Sequence, residues 1–283
     1  MPGYFQISRK TKLKIINKFT VYQYAPFSSF LVFSYKYYLE MHIENILFLD
    51  IETVSQTKSH ALLDEEGKLY WRRKAKMMIP LDRRESDDAY VEAYHDKAGI
   101  FAEFGKIICI SVGIIHKTDG VNHLRIKSFA GDDESLVLEG FFDLVRAKFN
   151  DSNKSGFCGH NIREFDIPYI CRRAIINGLL LPATLDLRNR KPWEIKHLYD
   201  TLEMWKFGDI KHYISLALLA HILDIPSPKD DIDGSMVGDV YWQEQDLQRI
   251  VTYCQKDVAT VANVYLRLNF EDLVSVEHTQ TIQ

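Results

Sequence analysis

An almost unbroken apolar run at 46–51, Ile-Leu-Phe-Leu-Asp-Ile, restricts the fold of this chain more than any other feature. As a strand, this run presents apolar side chains on both faces of its sheet. Such a strand needs packed layers on both sides. After it come two strand-like segments, and then strand-like and helix-like segments alternate. The sequence therefore predicts an α/β fold, a mixed sheet flanked by helices.

Apolar patterning and turn signals locate the elements of this sheet. We predict five strands, which begin at Ile46 and continue at 106–116, 123–130, 155–159 and 197–201. A turn at 118–120, Thr-Asp-Gly, joins the second strand to the third as a hairpin. We predict one helix that begins after a cap at 132–135 and ends near 149. Further helices are predicted at 166–177, 214–223 and 245–268. Residues 60–100 are polar and charged, which indicates an insertion with some helix.

The charge of the chain is unevenly distributed. The 283 residues have a formal net charge of −4, yet the first 40 hold six basic residues and one acidic residue. The mild overall acidity argues against a protein that coats nucleic acid through bulk charge. We predict that 1–40 is an extension, disordered or not part of the native protein, with Met41 as the biological start. The alternative is a basic arm for nucleic acid. The functional domain is then 41–283.

The cysteines and the hydropathy pattern indicate a cytoplasmic protein. The four cysteines stand singly, without a C-x-x-C pair or zinc-like spacing, as buried thiols in a reducing compartment do. No apolar run reaches the roughly 18 residues that a membrane span needs. We therefore expect no membrane partner.

Two carboxylates, Asp50 and Glu52, end the first strand. Residues i and i+2 of a strand point to the same face, so both emerge together beside the buried Ile51. Two negative charges at such a short distance repel each other unless a cation lies between them. Hard oxygen ligands suit magnesium or manganese. A strand end that exits into solvent is the simpler alternative for this pattern alone.

A second group of polar residues follows the strand at 155–159. Asn161, Phe165 and Asp166 stand where a loop enters a helix, and His160 precedes them. An amide and an aromatic ring beside an acid can hold a nucleotide end, with the ring stacked on a base. An aspartate at this position is also a good helix N-cap, which is the structural alternative.

A third pair lies inside the long final helix. Tyr253 and Asp257 are four residues apart, so the phenol and the carboxylate share one face of that helix. The same face is otherwise apolar, which directs both groups toward whatever the helix covers. An ordinary surface pair remains the alternative for this spacing alone.

The order of these three motifs is more specific than any one of them. Asp-x-Glu on the first strand, Asn-x3-Phe-Asp at a helix start and Tyr-x3-Asp on a late helix resemble the DEDD superfamily of 3′–5′ exonucleases. The tyrosine-bearing branch is the better match, because Thr252 stands where the other branch has histidine. Within it, the chain is most similar to the proofreading exonuclease domain of family B DNA polymerases and to stand-alone bacterial relatives. The resemblance covers about 44–270 and implies a ribonuclease H-like fold.

The resemblance also implies a metal site and a set of catalytic residues. The catalytic residues would be Asp50, Glu52, Asp166, Tyr253 and Asp257, of which the four acids would hold two divalent ions, Mg²⁺ or Mn²⁺. Two such ions neutralise an anionic phosphodiester and activate a water. In this scheme Asp50 bridges the ions, Glu52 and Asp257 complete the first, and Asp166 holds the second. Tyr253 orients the water, because a phenol with a pKa of about 10 stays protonated.

The implied substrate is the 3′ end of a single-stranded nucleic acid, cut to 5′ mononucleotides. Its expected contacts are Thr53, His160, Asn161 and Phe165. Single-stranded DNA is the expected substrate, RNA ends are the alternative, and a non-catalytic nucleic-acid-binding module is a third option that the complete set of acids disfavours. The sequence shows no polymerase portion, so proofreading would need a separate polymerase or repair partner, which the sequence does not identify.

Some charged segments outside these motifs are open to two interpretations. Basic residues cluster at 72–76, and basic residues accompany Trp193 at 188–193. These segments either follow a single strand or form solvated loops. The acidic segment 229–235 does not have the spacing of a calcium-binding EF-hand, and we predict a loop on the substrate side.

Overall fold

A computed structural model describes residues 41–226 and 232–282 of the chain. The predicted extension at 1–40 lies outside the described residues and stays a prediction. The same holds for positions 229–231 of the predicted loop, whereas 232–235 are described. Across the described residues, no helix is both long and apolar enough to cross a membrane.

The described residues form a six-stranded mixed sheet in the order β5-β4-β1-β2-β3-β6. Strands β1, β2 and β3 are successively antiparallel, β4 and β5 continue parallel to β1, and β6 is parallel to β3. The strands are β1 (Ile46–Ser55), β2 (Gly105–Thr118), β3 (Val121–Ala130), β4 (Gly156–Gly159), β5 (Leu198–Asp200) and β6 (Thr279–Ile282).

The mixed sheet is confirmed, but the prediction of five strands was wrong. The five predicted strands are present in the order 5-4-1-2-3, which is the ribonuclease H-like arrangement. The sixth strand, β6, is a short and mostly exposed segment, Thr-Gln-Thr-Ile, without an apolar pattern. Its pairing with β3 at the edge of the sheet defines it, and no local sequence signal marks such a pairing.

Helices cover the sheet. They are α1 (Glu65–Ala75), α2 (Asp87–Lys97), α3 (Glu134–Lys148), α4 (Asp166–Ile176), α5 (Thr201–Lys206), α6 (Leu216–Ile222), α7 (Val237–Asp239) and α8 (Leu247–Leu268). A π-helix spans Val240–Glu244, and short 3₁₀-helices lie at Ile43–Asn45, His60–Leu62, Leu81–Arg83, Ala98–Ile100, Pro192–Glu194 and Val276–His278. The predicted helices correspond to α3, α4, α6 and α8.

The first strand is buried on both faces, as its apolar run predicts. Leu47 and Leu49 belong to the main core cluster, together with residues of α3 and α4. On the opposite face, the ring of Phe48 meets that of Tyr265 in α8, with 5.6 Å between ring centroids. Burial of this strand therefore fixes where its final residues emerge.

Local turn chemistry agrees with the sequence at two places. Asp119 and Gly120 both have a positive φ, as the favoured two-residue hairpin turn between β2 and β3 requires. At the start of α3, the carboxylate of Asp133 accepts hydrogen bonds from the backbone N–H groups of Ser135 and Leu136, which caps the helix.

The segment 60–100 contains helix, and it has a small core of its own. Helices α1 and α2 enclose the buried Trp71, whose ring packs edge-on against Tyr94 and Phe104. The indole N–H of Trp71 donates to the backbone carbonyl of Tyr90 at 2.9 Å. One aromatic side chain thus ties the helical pair together.

We predict that Trp71→Ala lowers the free energy of unfolding by about 3–5 kcal/mol, because it leaves a large cavity and removes the hydrogen bond between the two helices. Urea denaturation followed by circular dichroism measures this change. Trp193→Ala is the matched control, since this side chain is 64% exposed and its loss should cost less than about 0.5 kcal/mol. Similar losses in both variants would contradict the assignment of Trp71 as the centre of this core.

Candidate active site

The site lies where β1 approaches its end, and a bulge in the neighbouring strand shapes it. Glu52 pairs with Cys109 but Thr53 pairs with Ile107, so Ile108 is an extra residue in β2. As a result, the consecutive side chains of Ile108 and Cys109 both pack against residues of α8. The bulge therefore changes which side chains of β2 face the helix at the level of Glu52.

The two carboxylates of β1 emerge on the side that α8 covers. The thiol of Cys254 in α8 donates to the Oδ2 atom of Asp50 at 3.4 Å, and it lies at the same distance from the backbone oxygen of Asp50. Glu52 is only 7% exposed. The shared face that the Asp-x-Glu spacing predicts is present.

Asp166 comes from the start of α4 and is 4% exposed. Phe165, not Asp166, occupies the cap position of this helix. The helix-cap alternative therefore does not describe Asp166. Instead, hydrogen bonds from its own backbone N–H and from that of Ile51 act on its carboxylate. The second bond links the start of α4 to the strand that carries Asp50 and Glu52.

Tyr253 and Asp257 project from α8 as a pair. The hydroxyl of Tyr253 is hydrogen-bonded to the side chain of Asp257, and both residues are half-buried. The charges of Glu52 and Asp50 also act on this phenol. The two groups therefore share one face of α8, and this face lies toward the acidic end of β1.

Burial and mutual repulsion dominate the electrostatics of this site. Burial raises the pKa values of Asp50 and Glu52 well above the ordinary range, and the negative charges of the neighbouring carboxylates raise them further. Burial raises the pKa of Asp166 to about 7, and the charge of Asp200 adds to this effect. Burial also raises the pKa of Tyr253, and the charge of Asp257 does so to a smaller extent.

These carboxylates need positive charge. Among the described residues, no Lys, Arg or His forms an ion pair with Asp50, Glu52 or Asp166. At neutral pH such a cluster either keeps protons or holds a cation. The donor set is rich in carboxylate oxygen, which fits Mg²⁺ or Mn²⁺.

The ligand atoms that lie closest together belong to Asp50, Glu52 and Cys254, all within 4.8 Å of one another. Asp166 and Asp257 lie outside this closest group, although their charges raise the pKa of Glu52. Cys254 was missed in the sequence, where it looked like a buried apolar residue. Its i, i+3 relation to Asp257 on one helix was the signal available.

Asp200 is a second residue that the sequence analysis missed. It is 2% exposed and ends β5. Its carboxylate accepts from the backbone N–H groups of Asn161 at 3.0 Å and Arg163 at 3.1 Å, which fixes the loop that leads to Asp166. The same carboxylate also caps α5. An aspartate before a short helix was the only local signal.

The predicted substrate contacts differ in their surroundings. Thr53 and Phe165 line a cavity of about 310 Å³ that Glu52 also borders. Asn161 adopts a left-handed backbone conformation with a φ of 64°, and Asp200 holds its backbone N–H. The described part of the predicted loop, 232–235, reaches the same cavity through Gly234 and Ser235.

The structure gives His160 a different role from the one expected. Its Nε2 lies 2.9 Å from the carbonyl oxygen of Ile214, and its Nδ1 lies 2.9 Å from the hydroxyl of Thr201. Both ring nitrogens are therefore used inside the protein. His160 fastens the loop after β4 to its neighbours, and its ring has no nitrogen left for a substrate.

Two of the basic side chains singled out in the sequence pair with nearby acids. Arg72 forms an ion pair with Asp87, and Arg188 forms one with Asp186 at 2.6 Å. These guanidinium groups are partly or largely exposed. Their surroundings agree with solvated charges better than with a strand-binding surface.

Comparison with known families shows to which family the chain belongs. Residues 100–281 match the model of a family described as "Predicted 3'-5' exonuclease related to the exonuclease domain of PolB". The chain belongs to this family. The membership confirms the resemblance found in the sequence. The matched stretch includes Asp166, Tyr253 and Asp257 and begins after Asp50 and Glu52.

Among solved structures, the chain is similar to the family B DNA polymerase from the hyperthermophilic archaeon Pyrobaculum calidifontis. The sequences are 16% identical, the TM-score is 0.45, and the alignment covers 78% of this chain and 24% of the polymerase chain. No curated protein matches the chain in sequence.

The raised pKa of Asp166 predicts a pH dependence of stability in chelator. The pKa of its carboxyl is about 7 in the folded state and an ordinary 3.8 in the unfolded state. Between these two pH values the folded state therefore binds more protons than the unfolded state. The stabilising contribution is complete below about pH 4 and is lost as the pH rises through 7. Asp166→Asn removes the titrating carboxyl, so the variant does not lose this stability as the pH rises.

We therefore expect the free energy of unfolding of Asp166→Asn, relative to the wild type, to increase between pH 5 and 7. The increase should reach at most about 1.4 kcal/mol per pH unit. Urea titrations in chelator at several pH values measure it. Asp143→Asn, at an exposed acid, is the control and should show no such trend. A flat difference for Asp166→Asn would contradict the raised pKa.

Proposed function

We propose that this protein is a metal-dependent 3′–5′ exonuclease that releases 5′ mononucleotides from the ends of single-stranded DNA. One observation carries the proposal. A strand and two helices that are distant in sequence bring buried carboxylates and a phenol together at the end of β1, in a member of a predicted exonuclease family. A cavity beside them is bordered by Glu52 and Phe165.

The carboxylates would hold two divalent ions, Mg²⁺ or Mn²⁺. Asp50 would be shared by both ions, Glu52 and Asp257 would complete the first, and Asp166 would hold the second. When bound, such ions neutralise the charge of the phosphodiester and make a bound water more acidic. Their binding would displace the protons that the raised pKa values retain. Cys254, through its bond to Asp50, would keep that carboxylate in position.

Tyr253 acts as a hydrogen-bonding group and not as a base. Its raised pKa keeps the phenol protonated over the physiological range. Its hydroxyl lies against Asp257, so it can orient a water that attacks phosphorus while the bond to the 3′ oxygen breaks. Phe165, at the cavity wall, would stack on the terminal base.

The choice of single-stranded DNA and the cytoplasmic location are part of the proposal. A protein distinguishes RNA from DNA by contact with the 2′ hydroxyl. End-labelled DNA and RNA of the same sequence, compared side by side, test this choice. Faster trimming of the RNA would overturn the preference for DNA while leaving the hydrolytic chemistry intact. A polymerase or repair protein would be the partner if the activity serves proofreading.

We predict that Asp50→Ala and Asp257→Ala each lower the rate of hydrolysis by about 10³-fold or more. Loss of a metal ligand removes several kcal/mol of transition-state stabilisation, and each 1.36 kcal/mol is a factor of ten. Tyr253→Phe should cost only about tenfold, because it removes one hydrogen bond. Release of the terminal nucleotide from labelled DNA measures all three.

The matched control for these variants is Asp143→Ala, which removes an exposed carboxylate of α3. It should retain the wild-type rate. Circular dichroism should show that every variant is folded. Full activity of Asp257→Ala would contradict the proposed site, and so would equal losses in Asp257→Ala and Asp143→Ala.

We further expect chelator to stop hydrolysis and either Mg²⁺ or Mn²⁺ to restore it. Calorimetric titration should detect Mn²⁺ binding to the wild type and a loss of at least about tenfold in affinity for Asp50→Ala, since a ligand and its charge are removed. Hydrolysis that persists in excess chelator would refute a metal-dependent mechanism.

A further inference from the structure

Two cavities meet next to the candidate active site. The first is the cavity of about 310 Å³ that Glu52 and Phe165 border. The second, of about 560 Å³, lies beyond it and is bordered by Lys106 and Tyr241. Lys58 and Trp242 border both, so the second cavity continues from the first.

The size of the first cavity limits what it can hold. It lies at the lower end of the roughly 300–1,000 Å³ that small-molecule sites occupy, which suits one nucleotide. A longer strand with its 3′ end in this cavity must leave it past the bordering residues. The pair shared with the second cavity, Lys58 and Trp242, marks such an exit.

Two lysines line this exit, together with one carboxylate, Asp132. Lys58 is exposed and forms no hydrogen bond or ion pair with the described residues, so its ammonium group is available to an anion. Lys106 is held by a bond of 2.8 Å to the hydroxyl of Tyr241. Its Nζ atom also lies 5.1 Å from the ring centroid of Trp242. Two lysines, of which one is held in place, therefore border the same cavity as this indole ring.

The indole ring is itself held in place. The Nε1–H of Trp242 donates to the hydroxyl of Ser55, the last residue of β1, at 3.1 Å. Trp242 belongs to the π-helix Val240–Glu244, a rare form that often occurs at functional sites. The chain leaves this π-helix through Gln245, whose φ is +57°. The side chain is thus anchored at one atom and half-buried.

We infer that Lys58, Lys106 and Trp242 form the track for the nucleotides that lie on the 5′ side of the terminal one. This inference rests on the proposed function, which places the 3′ end in the first cavity. Basic groups that follow the phosphates and an aromatic ring on which a base stacks are the combination that binds single strands. Inside a duplex both faces of a base are covered by the neighbouring base pairs, so a base that stacks on this ring belongs to an unpaired strand.

Binding of fluorescein-labelled oligothymidylates tests this track. Anisotropy is measured in Ca²⁺, whose flexible coordination is poorly suited to replace Mg²⁺, and strand integrity is checked afterwards. We expect Lys58→Ala to weaken binding of an eightmer about two- to fivefold. The slope of log affinity against log salt should fall in magnitude by about 0.7, the value for one phosphate contact. A mononucleotide, which is too short to reach the track, should bind Lys58→Ala as it binds the wild type.

The control is Lys117→Ala, at an exposed lysine near the far end of the strand that carries Lys106. It should leave the affinity for the eightmer unchanged. Trp242→Ala should weaken the eightmer more than Trp242→Phe does, because phenylalanine keeps a stacking face. Thermal unfolding identifies any variant that has lost its fold, and Lys58→Ala, with no partner to lose, remains the decisive one.

The track is overturned if Lys58→Ala binds the eightmer as the wild type does, or if binding of the mononucleotide is weakened equally. An equal loss in Lys117→Ala would also overturn it, since general charge would then explain the effect. These outcomes are separate from the proposed function. Anisotropy reports binding without chemistry, whereas a wild type that fails to hydrolyse the eightmer in Mg²⁺ would refute the exonuclease and not the track.

Discussion

Repulsion between buried carboxylates is the constraint on which the account of this protein depends. Asp50, Glu52, Asp166 and Asp257 act on one another electrostatically where little water remains, and burial raises the pKa values of the first three. Left alone, such a cluster favours the protonated state, in which it has no affinity for a cation. The folding energy of the surrounding core keeps these groups together, so a divalent ion that replaces the protons finds its ligands already assembled.

The scaffold holds these groups by different physical means. The apolar run of β1 is covered on both faces, which fixes where Asp50 and Glu52 emerge. Asp200 accepts backbone N–H groups of the loop before α4, and this loop leads to Asp166. A strand and two helices thus carry the carboxylates. The loop before α4 is held by the buried carboxylate of Asp200, which accepts hydrogen bonds from the backbone of this loop.

The parts of this structure that local periodicity determines could be predicted from the sequence. The buried first strand follows from its continuous apolar run, and the hairpin follows from its Asp-Gly turn. The shared faces of the acidic motifs follow from spacings of two and four residues. The edge strand β6, the thiol of Cys254 and the role of Asp200 could not be predicted, because each depends on tertiary contacts between distant segments. The hydrogen bonds of the His160 ring to Ile214 and Thr201 depend on such contacts too, and no local pattern predicts them.

We propose that the acidic cluster hydrolyses phosphodiester bonds from the 3′ end with water as the nucleophile. Hydrolysis of an oligonucleotide in ¹⁸O-labelled water, followed by mass spectrometry of the products, tests this most directly. We expect nucleoside 5′-monophosphates that each carry one ¹⁸O atom on phosphorus, with the strand shortened from its 3′ end and no product when chelator is present. Products with a 3′-phosphate, internal fragments, or unlabelled phosphate would contradict it.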